Sequence, residues 1–347
     1  MGVSSLGAFK VGPALSATPF YAGKQIRFDC PSKNGGGSDL AARFLAPWVS
    51  KEVDGNPTVQ VFNAKNTIIG GNTFAARPAD GLAIFISSAS TQLPWLLGQQ
   101  GVNYDFKTWH PVAGFPLGGV VYTSGKSKVK SIADLAKNPG LVYGGESAVS
   151  GDTTAILALK MLDVGVKFVM GYDGQNAERT ALMQGELDIH YDSSNTYLDE
   201  LKPQVANGDI LPLFSFGFLG EGNKLVRDPL LPDLPTVAEA YKTIHGKDPS
   251  GPDWDAYQGL MPLRFILNKA IWMRNDCPDE AKAAMDAGFA KMVADAEFQK
   301  ARTDQFGPYE VFLGKQLDDA VAAVNNISPQ TIAYLKDWLS RDFQATF

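Results

Sequence analysis

The 347-residue sequence has few of the residues from which metal, redox and disulfide chemistry is built. It contains two cysteines, Cys30 and Cys277, and three histidines that are widely scattered along the chain. Neither set has the short spacing of a metal or haem motif, and two cysteines are too few for a disulfide framework. The composition therefore predicts no metal site and no cofactor.

Long apolar runs and clusters of positive charge are also missing from the sequence. No apolar run reaches the eighteen or so residues that a membrane-spanning helix needs. The net charge is −6 without a basic cluster, which argues against nucleic acid or an anionic membrane surface as a partner. The remaining composition is ordinary for a globular protein, and the length suits two lobes or one large domain.

The familiar sequence motifs of enzymes do not fit either. Leu40 stands where a dinucleotide-binding fingerprint starting at Gly35 needs its third glycine, and no Walker lysine follows. The stretch from Gly145 to Val149 lacks the closing glycine of a nucleophile elbow. His190 lies in an alternating strand-like run, which is typical of a packed side chain rather than a general base. We therefore assign no catalytic residue.

What the sequence does contain is a repeated order of short apolar strands, turns and helices. Strands are predicted at 24–30, 58–63, 82–88, 119–124, 141–145, 168–172, 187–192 and 210–217, and helices at 152–163, 177–186 and beyond 278. This order is typical of a mostly parallel sheet with helices on both faces. Such proteins bind ligands at the carboxyl ends of their strands.

Three consecutive glycines, Gly35, Gly36 and Gly37, stand between the first predicted strand and the first predicted helix. A helix N-terminus exposes unpaired N–H groups at the positive end of the helix dipole, and glycines let an anion approach them without meeting Cβ atoms. The alternative is a tight turn with Ser38 as the helix N-cap. Both interpretations stay open at this point.

Several blocks of the sequence, in order, resemble the substrate-binding proteins of tripartite tricarboxylate transporters, the TctC or Bug family. They include PSKNGGGSDLAARFLAPWV (31–49), KSIADLAKNPGLVYGG (130–145), GYDGQNAERTALMQGELDIHYD (171–192) and LPDLPTVAEA (231–240). The resemblance implies a two-lobe α/β periplasmic-binding-protein fold, type II-like, with mixed, mostly parallel sheets and crossing hinge strands. Lobe 1 would comprise 18–121 and 236–347, with the C-terminal helices, and lobe 2 would comprise 122–235.

The resemblance also implies a ligand site between the lobes, in which backbone N–H groups, hydroxyls and ordered water hold a carboxylate. On lobe 1 the matching residues are Gly35, Gly36, Gly37, Ser38, Asp39, Ser88, Ser90 and Thr91. On lobe 2 they are Gly145, Glu146, Ser147, Val149, Ser150, Gly151, Tyr172, Asp173, Gly174 and Asp192.

The sequence departs from the family pattern at a few places. Asp173 replaces a basic residue of the family, and it would repel a ligand carboxylate placed beside it. Pro47 is expected to interrupt the first helix, and the segment 250–269 is longer than the common form. These departures leave the identity of the ligand open and hardly affect the fold.

The resulting hypothesis is a periplasmic solute-binding protein that delivers a small organic carboxylate to the membrane permease subunits of a tripartite tricarboxylate transporter. The ligand would be a di- or tricarboxylate or a related acid, with a dicarboxylate favoured over an aromatic acid, and we expect a monomer. Two alternatives stay open. One is a two-lobe enzyme in which Ser147 or Asp192 is catalytic, and the other is a sensor subunit that binds the same ligand.

Two further questions stay open at the level of the sequence. Export to an oxidising compartment would allow Cys30 and Cys277 to form a disulfide, and two separate buried thiols are the alternative. Residues 1–17 are compatible with the remnant of an export signal or with a disordered start.

Overall fold

The computed structural model describes residues 18–220 and 224–347, so the hypothesis on residues 1–17 lies outside the described part of the chain. The described residues form two five-stranded sheets and a small two-stranded one, with helices packed around them. None of the helices in these two ranges is long and apolar enough to cross a membrane.

The strands follow the predicted order closely. They are β1 (Gln25–Cys30), β2 (Thr58–Asn63), β3 (Ala83–Ile86), β4 (Trp109–Phe115), β5 (Gly119–Ser124), β6 (Val142–Gly145), β7 (Lys167–Met170), β8 (Ile189–Ser193), β9 (Ile210–Ser215), β10 (Phe218–Leu219), β11 (Leu225–Val226) and β12 (Lys269–Arg274). In β1, Ile26 and Phe28 are both fully buried, as their alternation with polar residues predicts.

The helices occupy the connections between these strands and the C-terminal region. They are α1 (Gly37–Glu52), α2 (Thr67–Ala75), α3 (Ala89–Leu96), α4 (Ile132–Leu135), α5 (Thr153–Met161), α6 (Gln175–Gln184), α7 (Ser194–Thr196), α8 (Lys202–Ala206), α9 (Val237–His245), α10 (Pro252–Met261), α11 (Asp279–Ala294), α12 (Ala296–Phe306), α13 (Gly314–Asn325) and α14 (Pro329–Phe343). A short 3₁₀ turn lies at Phe106–Thr108, and π-helical segments lie at Tyr197–Leu201 and Pro262–Ile266.

The first sheet has the strand order β2-β1-β3-β12-β4. β1 runs parallel to β2 and β3, whereas β12 runs antiparallel to both β3 and β4. Four of the five strands therefore point the same way, and β12 is the reversed strand.

The second sheet repeats this arrangement with the order β7-β6-β8-β5-β9. β6 runs parallel to β7 and β8, and β5 runs antiparallel to β8 and β9, so β5 is the reversed strand here. The predicted α/β fold with two lobes and mixed, mostly parallel sheets is confirmed. We call the lobes built on the two sheets the first and the second lobe.

The chain crosses between the sheets twice. It leaves the first sheet at Phe115 and enters the second at Gly119, and it returns after β9 through α9, α10 and the π-helical segment to β12. α9 contacts α4 and β9, and α10 contacts both α5 and α14. The lobe boundaries given above, 18–121, 122–235 and 236–347, stay a prediction.

Helix α1 continues through Pro47 to Glu52, so the expected interruption at this proline is wrong. A proline inside a helix removes one backbone hydrogen bond. Leu45, Ala46 and Val49 on either side of it are buried in the first lobe. Their packing offsets the missing hydrogen bond.

Cys30 and Cys277 are both buried and free in this structure. The disulfide hypothesis is therefore wrong for this structure, and the alternative of two separate buried thiols is confirmed. Burial raises the pKa of both thiols, which keeps them protonated and unreactive.

Candidate functional site

The loops that the sequence analysis singled out lie where strands of both sheets end and helices begin. On the first lobe, α1 follows β1 and α3 follows β3, and on the second lobe, α5 follows β6 and α6 follows β7. The carboxyl edges of such sheets carry helix N-termini with free N–H groups, which are suited to anions.

The glycine loop leaves the first turn of α1 accessible. Gly36 is the N-cap residue and no side chain caps the helix, so the interpretation of Ser38 as N-cap is wrong. The N–H groups of Gly35 and Gly36 are used inside the loop, by the Asp39 carboxylate at 2.8 Å and the Lys33 carbonyl at 3.1 Å. A Cβ atom on Gly37 would meet no protein atom within 4 Å. The open approach to the helix end is therefore at Gly37.

Asp39 supports this loop instead of offering free oxygens to a ligand. Its side chain is buried, its oxygens accept hydrogen bonds from Gly35 N–H and from Asn63, both at 2.8 Å, and Arg43 Nε forms an ion pair with it at 2.9 Å. Burial alone would raise the pKa of Asp39, but these hydrogen bonds and the Arg43 charge outweigh it and lower the pKa. The Asp39 side chain thus supports the loop, and the role of Asp39 as a ligand contact stays a prediction.

The start of α3 places one hydroxyl at the facing lobe. Ser88 is the N-cap residue, and its N–H donates to Thr91 Oγ1 at 2.8 Å, so Ser88 and Thr91 shape the turn. The neighbouring Ser90 instead accepts a hydrogen bond from Gly151 N–H of the second lobe at 3.1 Å. Ser90 and Gly151 therefore bring the two lobes into direct contact.

The loop after β6 is built around Asp152, which the sequence analysis did not single out. Its carboxylate accepts hydrogen bonds from Tyr143 Oη at 2.6 Å, Glu146 N–H at 2.9 Å and Ser150 Oγ at 3.0 Å. A Cβ atom on Gly145 would lie 2.8 Å from Asp152 Cγ, so a glycine is required there by an internal carboxylate. In this loop the backbone N–H of Glu146 is already occupied by the protein itself.

The remaining residues of this loop are also joined by local hydrogen bonds. Val149 N–H donates to Ser147 Oγ at 3.2 Å, and the Ser147 carbonyl lies 2.6 Å from Ser150 Oγ, so it shares the single hydroxyl proton of Ser150 with Asp152. Gly151 is different, since it faces outward from the loop: a Cβ there would lie 3.0 Å from the Tyr191 hydroxyl and 3.6 Å from Ser90 Oγ. Gly151 thus brings the backbone of the second lobe close to Ser90 of the first.

Asp173 forms an ion pair with Lys33 of the glycine loop across the gap between the lobes. Both side chains are exposed, so the pair contributes at most about 1 kcal/mol. The expected repulsion of a ligand by Asp173 is countered by this facing cation. Beside it, Tyr172 donates its N–H to the Gly145 carbonyl at 3.2 Å, and Gly174 with φ +88° starts α6 without a side-chain cap.

Asp192 is fully buried within the second lobe and has its oxygens occupied. It accepts hydrogen bonds from Tyr122 Oη at 2.6 Å and from Arg179 at 2.9 and 3.1 Å. Because side chains alternate along a strand, Asp192 and Tyr191 point to opposite faces of β8. Asp192 is thus a buried ion-pair partner of Arg179 in this structure, and its role as a ligand contact stays a prediction.

Comparisons with known proteins show which proteins this chain resembles. No protein-family model matches the chain. The UPF0065 protein in the tcbD-tcbE intergenic region of Pseudomonas sp. (strain P51) is 23% identical over 226 residues, which are 63% of this chain and 64% of that protein. The chain thus matches less than two thirds of the length of this curated relative.

Solved structures have a similar fold over nearly the whole length of this chain. The periplasmic binding protein BugD has a TM-score of 0.64 at 18% identity, covering 94% of this chain and 100% of BugD. Rhodopseudomonas palustris Rpa4515 with adipate has a TM-score of 0.64 at 19% identity, covering 90% of this chain and 97% of Rpa4515. MatC from the same organism with bound malate has a TM-score of 0.62 at 14% identity, covering 90% of this chain and 98% of MatC. The chain has the fold of the Bug and TctC solute-binding proteins. The resemblance inferred from the sequence blocks is confirmed at this level.

In this cleft the structure adds one buried and one half-buried cation that the sequence analysis missed. Both come from the long segment 250–269. Lys269 starts β12 and donates a hydrogen bond to Ser38 Oγ at 3.0 Å, and burial lowers the pKa of Lys269 to about 8. Arg264 lies in the π-helical segment between α10 and β12, only 3% exposed. The sequence signal that could have revealed both residues was a positive charge at two positions of the mostly apolar run PLRFILNK (262–269).

Other features of the Bug-type fold lie away from this cleft. A groove of about 320 Å³ on the first lobe is lined by Arg27 and Arg77, but both arginines are paired with Asp29. It contains none of the predicted site residues. In residues 18–220 and 224–347 there is no group of three or more acidic, histidine or cysteine side chains arranged to hold a metal.

Proposed function

We propose that this protein is a periplasmic solute-binding protein of the TctC/Bug type. It captures a small organic carboxylate between its lobes and delivers it to the permease subunits of a tripartite tricarboxylate transporter. The observation that carries the proposal is the contact of Ser90 with Gly151, which brings together loops from the carboxyl edges of both sheets. A ligand in such a cleft touches both lobes at once.

A carboxylate fits the charge of this cleft. The accessible first turn of α1 carries the positive end of a helix dipole, and Lys269 lies beside it at Ser38. Charge-assisted hydrogen bonds contribute about 1.5–3 kcal/mol each, so three or four of them support roughly micromolar binding after ordering costs. The adipate of Rpa4515 and the malate of MatC are ligands of the same chemical class in proteins of the same fold.

The arrangement favours binding over catalysis. A nucleophilic enzyme needs a base within reach of its nucleophile. Ser147 Oγ accepts a backbone N–H in its own loop, and Asp192 is held by Arg179 and Tyr122. His190 is fully buried. The neighbours of this fold named above are likewise binding proteins. A sensor subunit would use the same cleft, and its membrane partner would distinguish it from a transport protein.

A thermal-shift screen tests the proposal. The panel contains mono-, di- and tricarboxylates, aromatic acids and the corresponding amides. We expect one class of carboxylate to raise the melting temperature, since ligand at a hundredfold excess over Kd stabilises by about 2.7 kcal/mol.

Mass spectrometry of the recovered ligand supplies the second readout of this screen. An unchanged ligand is expected of a carrier. The absence of any carboxylate response contradicts the proposal, and chemical conversion of the ligand supports the enzyme alternative.

A further inference from the structure

Arg264 is a buried cation without a counter-charge. None of the ion pairs within residues 18–220 and 224–347 involves its guanidinium. Nη1 donates to the Leu117 carbonyl at 3.3 Å, and Nε has no hydrogen-bond partner among the described residues. The rings of Phe216 and Tyr191 lie 5.0 and 5.5 Å from its Cζ atom. An uncompensated buried charge costs several kcal/mol, so such a residue calls for an anion.

A second buried arginine, Arg302, shows that a buried guanidinium in this protein can have its hydrogen bonds satisfied by the fold. Arg302 also lacks an ion pair within the described residues, but it donates to the carbonyls of Gly307 and Tyr309 at 3.0 and 2.6 Å and to Gln299 Oε1 at 2.7 Å. Its hydrogen-bonding capacity is used by the fold. Arg264 has one long hydrogen bond and an unused Nε.

Lys269 is a second cation without a counter-charge among the described residues. Its ammonium donates to Ser38 Oγ, and none of the ion pairs in the described ranges includes it. Burial lowers the pKa of Lys269, and the charge of Arg264 lowers it further. Neither charge is neutralised by the described part of the chain.

Both cations lie where the carboxyl edges of the two sheets face each other. Lys269 contacts the start of α1, on the first lobe. Arg264 contacts Leu117 in the first crossing segment and lies over Tyr191 of β8 and over Phe216, which follows β9. The Tyr191 hydroxyl in turn lies against Gly151, which donates to Ser90. Arg264 is thus linked through Tyr191 to the contact between the lobes, and Lys269 lies at the start of α1 on the facing lobe.

We propose that Arg264 and Lys269 recognise the charges of the ligand, and that the ligand is a dicarboxylate. One carboxylate binds at Lys269, Ser38 and the first turn of α1, and the second binds the guanidinium of Arg264. This inference rests on the proposed function as a carboxylate-binding protein. It adds two side-chain anchors from the 250–269 segment to a site that the family resemblance describes as built from backbone groups, hydroxyls and water.

The test compares a dicarboxylate from the thermal-shift screen with its half-amide, which keeps the shape but loses one charge. Isothermal titration calorimetry is carried out on the wild type, on Arg264→Gln and Lys269→Gln, and on Lys65→Gln as a charge-matched control at an exposed cation. In the wild type we expect the dicarboxylate to bind at least about tenfold tighter than the half-amide. Arg264→Gln lowers the affinity for the dicarboxylate at least about 30-fold and removes this preference.

Two further readouts distinguish recognition of the ligand by Arg264 from a purely structural role of this residue. The ligand-free Arg264→Gln protein is expected to melt at the same or a higher temperature than the wild type, since an unpaired buried charge has been removed. Arg264→Lys, which keeps the charge, is expected to recover part of the preference for the dicarboxylate. A lowered melting temperature for Arg264→Gln, together with no recovery in Arg264→Lys, overturns the inference.

The outcomes also distinguish this inference from the proposed function. A wild type that binds no carboxylate contradicts the proposed function itself. A wild type that binds a dicarboxylate, with unchanged affinity and preference in Arg264→Gln and Lys269→Gln, leaves the proposed function standing and overturns the role of the two cations. Lys65→Gln is expected to match the wild type throughout.

Discussion

At the scale of single residues, we expect Lys269 to make the proposed anion binding depend on pH. Burial lowers the pKa of its ammonium from 10.5 to about 8 in the ligand-free protein. An anion binds the charged form, so affinity is full below that pKa and falls above it, by up to about tenfold per pH unit. Calorimetric titration from about pH 6 to about pH 10 measures this fall. In Lys269→Gln the affinity should be weaker and nearly constant over the same range, and an equal fall in both proteins would exclude Lys269 as its source.

A substitution at Gly37 can obstruct the ligand without disturbing the fold, so the two effects can be measured separately. A Cβ atom there meets nothing within 4 Å, whereas one on Gly36 would lie 3.2 Å from the Lys33 carbonyl. We expect Gly37→Val to change the free energy of unfolding by less than about 1 kcal/mol and to weaken carboxylate binding at least about tenfold. Urea unfolding and calorimetry on the same sample check both values. Unchanged affinity would move the anion away from the first turn of α1.

At the scale of elements, helix α6 and strand β8 enclose a pair of neutral titratable groups. Glu178 Oε2 lies 3.4 Å from His190 Nδ1, both side chains are buried, and neither has a hydrogen bond among the described residues. Burial, followed by the charges of Asp152, Glu146 and Asp192, raises the pKa of Glu178 well above its usual range. Burial lowers the pKa of His190 to about 4.

The raised pKa of Glu178 predicts that replacing this residue stabilises the protein, and that the gain in stability depends on pH. The folded protein keeps a proton on Glu178 that the unfolded chain releases above its pKa of 4.5, so stability falls as pH rises from there towards the folded-state pKa. Glu178→Gln keeps the shape of the protonated acid and removes this effect. We expect it to be more stable than the wild type by about 1–3 kcal/mol near pH 8, with the difference vanishing near pH 4. Urea denaturation at both pH values measures it, and a variant less stable than the wild type at the higher pH would contradict the assignment.

Elements could be predicted from the sequence where a local pattern determines them. β2 was predicted at its observed limits, because a β-rich run at 58–63 is followed at once by turn residues. The interruption at Pro47 was wrong because burial of the neighbouring side chains outweighs a local rule. Asp152 was missed although its partners lie within nine positions of it. Arg264 and Lys269 were missed since their roles depend on partners distant in sequence, such as Lys269 and Ser38, 231 positions apart. No local pattern encodes such a pairing.

At the scale of the whole molecule, the two contacts between the candidate ligand loops of the lobes are weak, from Gly151 to Ser90 and from Lys33 to Asp173. They are one neutral hydrogen bond and one exposed ion pair, which together contribute only about 1–2 kcal/mol. A ligand that touches both lobes binds the closed state better than the open one and shifts the population towards it. We therefore expect the radius of gyration from small-angle scattering to fall when the dicarboxylate of the screen is added.

Gly151→Val tests whether this closure uses the observed contact. Its Cβ would lie 3.0 Å from the Tyr191 hydroxyl, and the added methyl groups would separate the loop from Ser90, now 3.6 Å from that Cβ position. The variant should keep its radius of gyration without ligand and show a smaller decrease with saturating ligand than the wild type. Lys65→Gln, whose exposed side chain lies on the first lobe, serves as the control and should close fully. A wild type that binds the ligand without compaction would contradict closure, and full compaction of Gly151→Val would place the closing contact elsewhere in the cleft.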